Sequence, residues 1–134
     1  MKLEHVAIWT HQIDELKDFY VHYFGAVPND KYISDRPRGL FESYFLSFET
    51  GARLELMKLP VIPFGDNADG FESTGLTHIA LSVETREEVD ALYNQLKEDG
   101  VPIMGAPRVT GDGYYEACVL DPDGNRVEIA VTPE

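Results

Sequence analysis

The sequence predicts an α+β fold of two tandem βαβββ modules, because one pattern of residues occurs twice. The segment HVAIWT, which begins at His5, matches HIALSV, which begins at His78, at an offset of 78 − 5 = 73 residues. At the same offset, ARLEL around Glu55 matches NRVEI around Glu128. In each copy, a segment with the alternating apolar pattern of a strand is followed by one with the apolar period of a helix. An internal repeat of this kind indicates two copies of one supersecondary unit.

The first strand of each module alternates between apolar and smaller or polar residues. In the first module, Val6 and Ile8 are predicted to face the helix, which leaves His5, Ala7 and Trp9 on the opposite face. The equivalent residues of the second module are His78, Ala80 and Ser82.

A helix follows the first strand in each module, with apolar residues at i, i+3, i+4 and i+7. Thr85 followed by Glu88 forms a capping-box pattern at the start of the second helix. Gly25 and Gly100 are predicted to end the two helices, since a Val-Pro pair follows each glycine and prevents continuation. The apolar helical positions are Leu16, Phe19, Tyr20 and Tyr23, and then Val89, Leu92, Tyr93 and Leu96.

The last two strands of each module are predicted to form a hairpin, with ETG and DPDG as the turns. Alternation along the final strands turns Glu55 and Glu128 away from the helices, as it does the two histidines. We therefore expect one domain over residues 1–134, with modules at 1–59 and 76–134. The proline- and glycine-rich segment 60–75 is predicted to be a linker or a lid.

Composition and charge disfavour several classes of protein. The 134 residues are 43% apolar, enough for a compact core, and 11 basic against 24 acidic residues give a net charge of −13. This charge predicts that the protein binds neither nucleic acid nor anionic membranes. MKLEHV lacks the apolar stretch of a secretion signal, and no run approaches the roughly 20 residues of a membrane span, which predicts a cytoplasmic protein. Cys118, the only cysteine, rules out an intrachain disulfide and is expected to be a small buried residue.

The two histidines and two glutamates of the repeat form a candidate metal site. Two imidazoles and two carboxylates are costly to bury without a partner, and a divalent cation offsets that cost. Their nitrogen and oxygen donors suit Zn²⁺, Ni²⁺, Co²⁺, Mn²⁺ or Fe²⁺. A polar interior without metal is the alternative. The predicted ligands are His5, Glu55, His78 and Glu128.

With these four residues, the paired βαβββ units and the motif DPDGNRVEI, the chain resembles the vicinal oxygen chelate superfamily, which includes glyoxalase I. The resemblance covers essentially the whole chain. It implies an open, cup-shaped barrel of eight strands around one divalent metal ion per site, with Zn or Ni ahead of Co, Mn or Fe. It also implies a homodimer acting on a small-molecule substrate, with each site built by one chain or shared between two.

The presence of a glutamate at position 55 helps to distinguish between the reactions that members of that superfamily catalyse. The related extradiol dioxygenases and fosfomycin-resistance enzymes use three ligands, whereas glyoxalase I and methylmalonyl-CoA epimerase use four. A fourth ligand at Glu55 implies proton transfer through a metal-bound enediolate, with Glu128 as the catalytic base and Glu55 able to share that role.

Five residues are candidates for substrate binding. Trp9 stands where bacterial glyoxalase I has an arginine that holds glutathione, so a different thiol adduct, or a 2-hydroxy or 2-oxo compound, fits this chain as well. Arg36 and Arg38, in a predicted loop, suit the binding of a carboxylate or phosphate. The alternative is that both are solvated surface residues with no ligand. Tyr114 and Tyr115, in a predicted flap, would close over the substrate unless they serve packing.

The resemblance therefore predicts a metal-dependent lyase or isomerase of the glyoxalase I type. A methylmalonyl-CoA epimerase-like isomerase is the nearest alternative. Two further alternatives are a protein that sequesters an antibiotic and a partner-binding module with a structural metal.

Overall fold

The computed structural model describes residues 1–65 and 74–133, which form nine strands and two helices. Residues 66–73 of the predicted linker lie outside the described residues. The chain divides between residues 66 and 67 into two compact units. The first unit contains β1 (His5–Trp9), α1 (Ile13–Phe24), β2 (Val27–Pro28), β3 (Tyr32–Arg36), β4 (Gly39–Ser47) and β5 (Arg53–Lys58). The second unit contains β6 (His78–Ser82), α2 (Arg86–Glu98), β7 (Ile103–Val109), β8 (Tyr115–Leu120) and β9 (Arg126–Val131).

The two units have the same sheet topology, which confirms the predicted pair of βαβββ modules. Their strand orders are β1-β5-β4 followed by the edge strands β2 and β3, and β6-β9-β8-β7. In each open sheet the first and last strands of the unit pair in parallel, and all other pairs are antiparallel. His5 lies opposite Arg53 and His78 opposite Arg126, so the pairing register also repeats at an offset of 73.

Each helix packs on one face of its own sheet. Leu16 and Tyr20 of α1 are buried, as are Leu54 and Leu56 of β5. The second unit buries an equivalent set, which is Val89, Leu96, Val127 and Ile129. Burial of each such side chain stabilises the fold by about 1.5–3 kcal/mol. The opposite face, which we call the helix-free face, carries His5, Ala7 and Trp9 in one unit and His78, Ala80 and Ser82 in the other, as predicted.

The helix ends also follow the sequence signals. The Thr85 side chain accepts a hydrogen bond from the Glu88 backbone at 3.2 Å, and the Glu88 carboxylate accepts one from the Thr85 backbone at 2.8 Å. At the other end of α2, Gly100 has a φ of 83° and Val101 donates to the Leu96 carbonyl, an arrangement that requires a left-handed residue. Gly25 ends α1 in the same conformation. The described helices are both too short and too polar to cross a membrane.

The edge of the first sheet differs from the prediction of a single strand. Pro28 pairs with Leu46 and Tyr32 pairs with Ser43, so residues 29–31 lie opposite residues 44–45 and one residue is extra. This bulge separates β2 from β3. Asn29 bridges it, because its backbone donates to the Phe45 carbonyl and its side-chain oxygen accepts from the Phe45 backbone at 2.8 Å.

We expect Thr85→Ala to lower the free energy of unfolding by about 1 kcal/mol, because an orphan amide of α2 loses its acceptor. Thr85→Ser should keep most of the wild-type stability, since serine can accept the same bond. Urea denaturation followed by circular dichroism measures both variants. An alanine variant as stable as the wild type would show that the capping box contributes nothing.

Candidate functional site

The first unit brings together one histidine and one glutamate of the predicted ligand set. The Nε2 atom of His5 lies 3.6 Å from Oε1 of Glu55. The parallel register places Ala7 beside Glu55, and the small alanine leaves space for this diagonal contact. The Glu55 side chain is only 15% exposed, so its charge is partly removed from water.

The second unit repeats this arrangement. Nε2 of His78 lies 3.3 Å from Oε2 of Glu128, and Ala80 is the neighbour of Glu128 in the parallel register. The Glu128 side chain is 21% exposed. Each unit therefore presents one imidazole nitrogen and one carboxylate on its helix-free face.

Each pair provides donors that suit a divalent metal of the borderline class. Among the described residues, the only basic group in ion-pair contact with either carboxylate is its own histidine. Both carboxylates are partly buried, and a bound cation would offset the cost of that burial. Within the described part of each unit, no group of three or more potential metal ligands is present. Each unit thus presents two donors of these types, one imidazole and one carboxylate.

Three neighbours orient His5. Its Nδ1 atom contacts the carboxylate of Glu4, which also accepts a hydrogen bond from Nε of Arg53 at 2.7 Å. The bonds from His5 and then Arg53 lower the pKa of Glu4 below its ordinary value. The rings of Phe45 and His5 pack edge to face, with their centres 5.3 Å apart. The Arg53 guanidinium lies 4.2 Å from the centre of the Phe45 ring. A carboxylate on Nδ1 leaves Nε2 as the nitrogen available for a ligand.

The surroundings of His78 differ. Thr77 occupies the position equivalent to Glu4, and Cys118 occupies the position equivalent to Phe45. Glu116 lies on the same face of β8 as Cys118. Burial raises the pKa of the Glu116 carboxyl, and the negative charge of Glu128 raises it further. Burial and Glu128 likewise raise the pKa of Cys118, which is half-buried rather than enclosed in the core.

The structure distinguishes the two predicted arginines. Arg36 belongs to β3 rather than to a loop, and its guanidinium lies 3.7 Å from the centre of the Phe41 ring. Trp9 meets the same ring edge to face at 6.3 Å. Arg38 lies exposed in the tight turn between β3 and β4. Trp9 and Arg36 thus share one neighbour on the helix-free face, whereas the role of Arg38 stays a prediction.

The two candidate tyrosines occupy different environments. The Tyr115 hydroxyl donates to Asp90 of α2 at 2.5 Å, on the helix side of the second sheet, and this bond raises the pKa of Tyr115. Tyr114 lies half-buried in the turn before β8, where its backbone bonds both backbone and side chain of Thr110. These contacts give Tyr115 a packing role. Substrate binding by either tyrosine stays a prediction.

The sequence analysis missed several contributors to the site, which are Glu4, Phe41, Phe45, Arg53 and Glu116. Glu4 and Glu116 have no acidic counterpart at an offset of 73, since Thr77 and Ser43 occupy those positions. A search for repeated residues therefore passes over them. The one sequence signal that could have identified Glu4 is its position directly before His5.

The comparisons with known proteins agree with this architecture. The family model described as the Glyoxalase/Bleomycin resistance protein/Dioxygenase superfamily matches residues 2–129. The chain belongs to this superfamily. Among curated proteins, no sequence matches it significantly.

Solved structures share the fold. A glyoxalase family protein from Bacillus cereus has a TM-score of 0.79 at 15% identity, with 100% of this chain and 95% of that chain covered. A trypanothione-dependent glyoxalase I from Leishmania major has a TM-score of 0.73 at 23% identity, covering 98% and 86%. A glyoxalase family protein from Enterococcus faecalis has a TM-score of 0.72 at 28% identity, covering 96% of both chains.

We expect Glu128→Gln to lower the raised pKa of Glu116, because the substitution removes a negative charge that disfavours ionisation there. A residual rise should remain, since burial is the larger cause. Carboxyl carbon NMR titration of chelator-treated protein measures the shift. Glu87→Gln, the same change of charge on α2, serves as the control. An unchanged Glu116 midpoint in Glu128→Gln would show that the two carboxylates do not interact.

Proposed function

We propose that this member of the superfamily is a divalent-metal-dependent lyase or isomerase of the glyoxalase I type. Its reaction would move a proton between carbons beside a carbonyl group of a small oxygenated metabolite or thiol adduct. The observation that supports the proposal best is the repeated His–Glu pair, in one register and on the helix-free face of both units.

The residues proposed to hold the metal are His5, Glu55, His78 and Glu128. Both pairs would come from one chain, or one pair from each chain of a homodimer. Zn²⁺ and Ni²⁺ are the first candidates, with Co²⁺, Mn²⁺ and Fe²⁺ behind them. When bound, the ion would supply a Lewis acid that stabilises negative charge on substrate oxygen.

Glu128 is the proposed base. Its carboxylate would take the proton from the substrate C–H and return it to the neighbouring carbon. The position of Glu128 supports this role, because its carboxylate lies on the helix-free face, 3.3 Å from the His78 imidazole. Glu55 has the equivalent position in the first unit and could share the proton transfer. Glu4, Arg53 and Phe45 would hold His5 in one orientation.

A second function, sequestration of an aromatic molecule, is favoured by one observation. Trp9 is 43% exposed on the same face as the first His–Glu pair, which offers a planar ring to a ligand. A bound compound recovered unchanged from metal-free protein would support sequestration over catalysis.

We expect about one divalent ion for each set of four ligands in protein purified without chelator or histidine tag. His78→Ala should lose most of it, because one nitrogen ligand disappears. His22→Ala, which removes an exposed histidine of α1, should retain the wild-type content. Plasma mass spectrometry measures the metal. If the wild type takes up none of the five candidate ions on incubation, the metal-dependent proposal fails.

We expect Glu128→Gln to lower kcat by about 10²-fold or more in hemithioacetal isomerase or thioester epimerase assays, because glutamine cannot accept the proton. Metal content is measured on the same sample, which separates loss of the base from loss of the ion. Glu87→Gln on α2 is the matched control and should retain full activity. A Glu128→Gln variant that unfolds at lower temperature, in a protein with no activity in any assay, would instead indicate a structural metal.

A further inference from the structure

A cluster of three aromatic rings and one guanidinium lies on the first sheet. Phe41 is at its centre and is 5% exposed. The Trp9 and Tyr32 rings meet it edge to face at 6.3 and 6.2 Å, and the Arg36 guanidinium lies 3.7 Å from its centre. We call these four residues the Phe41 cluster.

Strand pairing places the Phe41 cluster on the same face as His5 and Glu55. Glu55 pairs with Phe45, and Phe41 lies four residues before Phe45 on β4, so both rings project from one face. Trp9 lies four residues after His5 on β1, about 13 Å along the strand. A ligand on this face could therefore contact both the His–Glu pair and the cluster.

The outer members of the cluster are available to a ligand. Trp9 is 43% exposed and Tyr32 is 53% exposed. Arg36 is exposed, and among the described residues no carboxylate forms an ion pair with it.

The chemistry of the cluster selects a ligand class. Phe41 supports one face of the guanidinium, which leaves the N–H donors at its edge free for a carboxylate in a bidentate pair. The exposed Trp9 and Tyr32 rings favour a planar, apolar body next to that carboxylate. The alternative occupant is a second copy of this chain, which the measurement of molecular mass described below distinguishes from a small acid.

We propose that the Phe41 cluster binds the carboxylate and planar body of an aromatic acid. The statement that the other end of this ligand reaches His5 and Glu55 rests on the proposed function, whereas binding at the cluster does not. The substrate of the reaction would then be an elongated carboxylic acid rather than a two- or three-carbon metabolite alone.

Fluorescence of Trp9, the only tryptophan, reports directly on the cluster. Chelator-treated protein is titrated with 3-phenylpropanoate and with its uncharged amide, 3-phenylpropanamide. We expect saturable binding of the acid, and affinity at least about tenfold weaker for the amide. Arg36→Gln should weaken binding of the acid by a similar factor and leave binding of the amide unchanged, and Arg36→Lys should fall between Arg36→Gln and the wild type.

Arg86→Gln is the matched control, since Arg86 also stacks on an aromatic ring, that of Tyr115 at 5.0 Å, but on α2. It should bind the acid as the wild type does. Equal affinity for acid and amide in the wild type would overturn the proposal, and this comparison does not depend on the folding of any variant. A change of molecular mass by light scattering in Arg36→Gln, with no loss of acid binding, would also overturn it and assign the cluster to a chain-to-chain contact.

The metal measurement separates this inference from the proposed function. Acid binding that depends on Arg36 in a protein that holds no metal supports the subsite while the catalytic proposal fails. If the protein binds metal through His78 but binds the acid and the amide equally well, the proposed subsite is wrong and the catalytic proposal stands.

Discussion

The parallel pairing of the first and last strands in each unit is the constraint on which the candidate site depends. Histidine and glutamate are 50 residues apart in sequence within both units, from His5 to Glu55 and from His78 to Glu128. The parallel ladder brings each pair within 3.6 Å, and a shift of one residue would turn the glutamate into the apolar layer beneath the helix. Leu54, Leu56, Val127 and Ile129 resist that shift, because they are buried against α1 and α2. Core packing thus fixes the register that brings each histidine to its glutamate.

The helix-free faces have the same backbone but different side chains. Glu4, Phe45 and Arg53 surround the first histidine with a carboxylate, a ring and a guanidinium. The second pair is surrounded by Cys118 and Glu116, whose pKa values are both raised. The repeated residues are therefore suited to a shared task, and the unrepeated ones to tasks specific to one unit. The Phe41 cluster is likewise not repeated, since the offset of 73 residues places Ser82 in the position of Trp9 and Tyr114 in the position of Phe41.

Repetition explains which features could be predicted from the sequence. The offset of 73 residues predicted the two modules, the faces of their strands and both His–Glu pairs, because a repeated pattern is improbable without a shared fold. The capping box at Thr85 and the glycine helix ends were predicted from local chemistry alone. The bulge at residues 29–31 was missed, since it depends on how Asn29 bonds a distant strand. The sequence also could not predict that Arg36, and not Arg38, contacts Phe41. That contact depends on which residue of the hairpin faces Phe41.

The strand order also governs how the chain assembles during synthesis. β1 is synthesised well before β5, which ends at residue 58 and is its only partner among the described strands. Until then, the backbone groups of β1 must be satisfied by water or by other contacts, and the closing loop costs entropy. Each unit is therefore completed by its own C-terminal strand. The same late step that closes the sheet brings each glutamate to its histidine, so the histidine gains its partner only when the fold of that unit is complete.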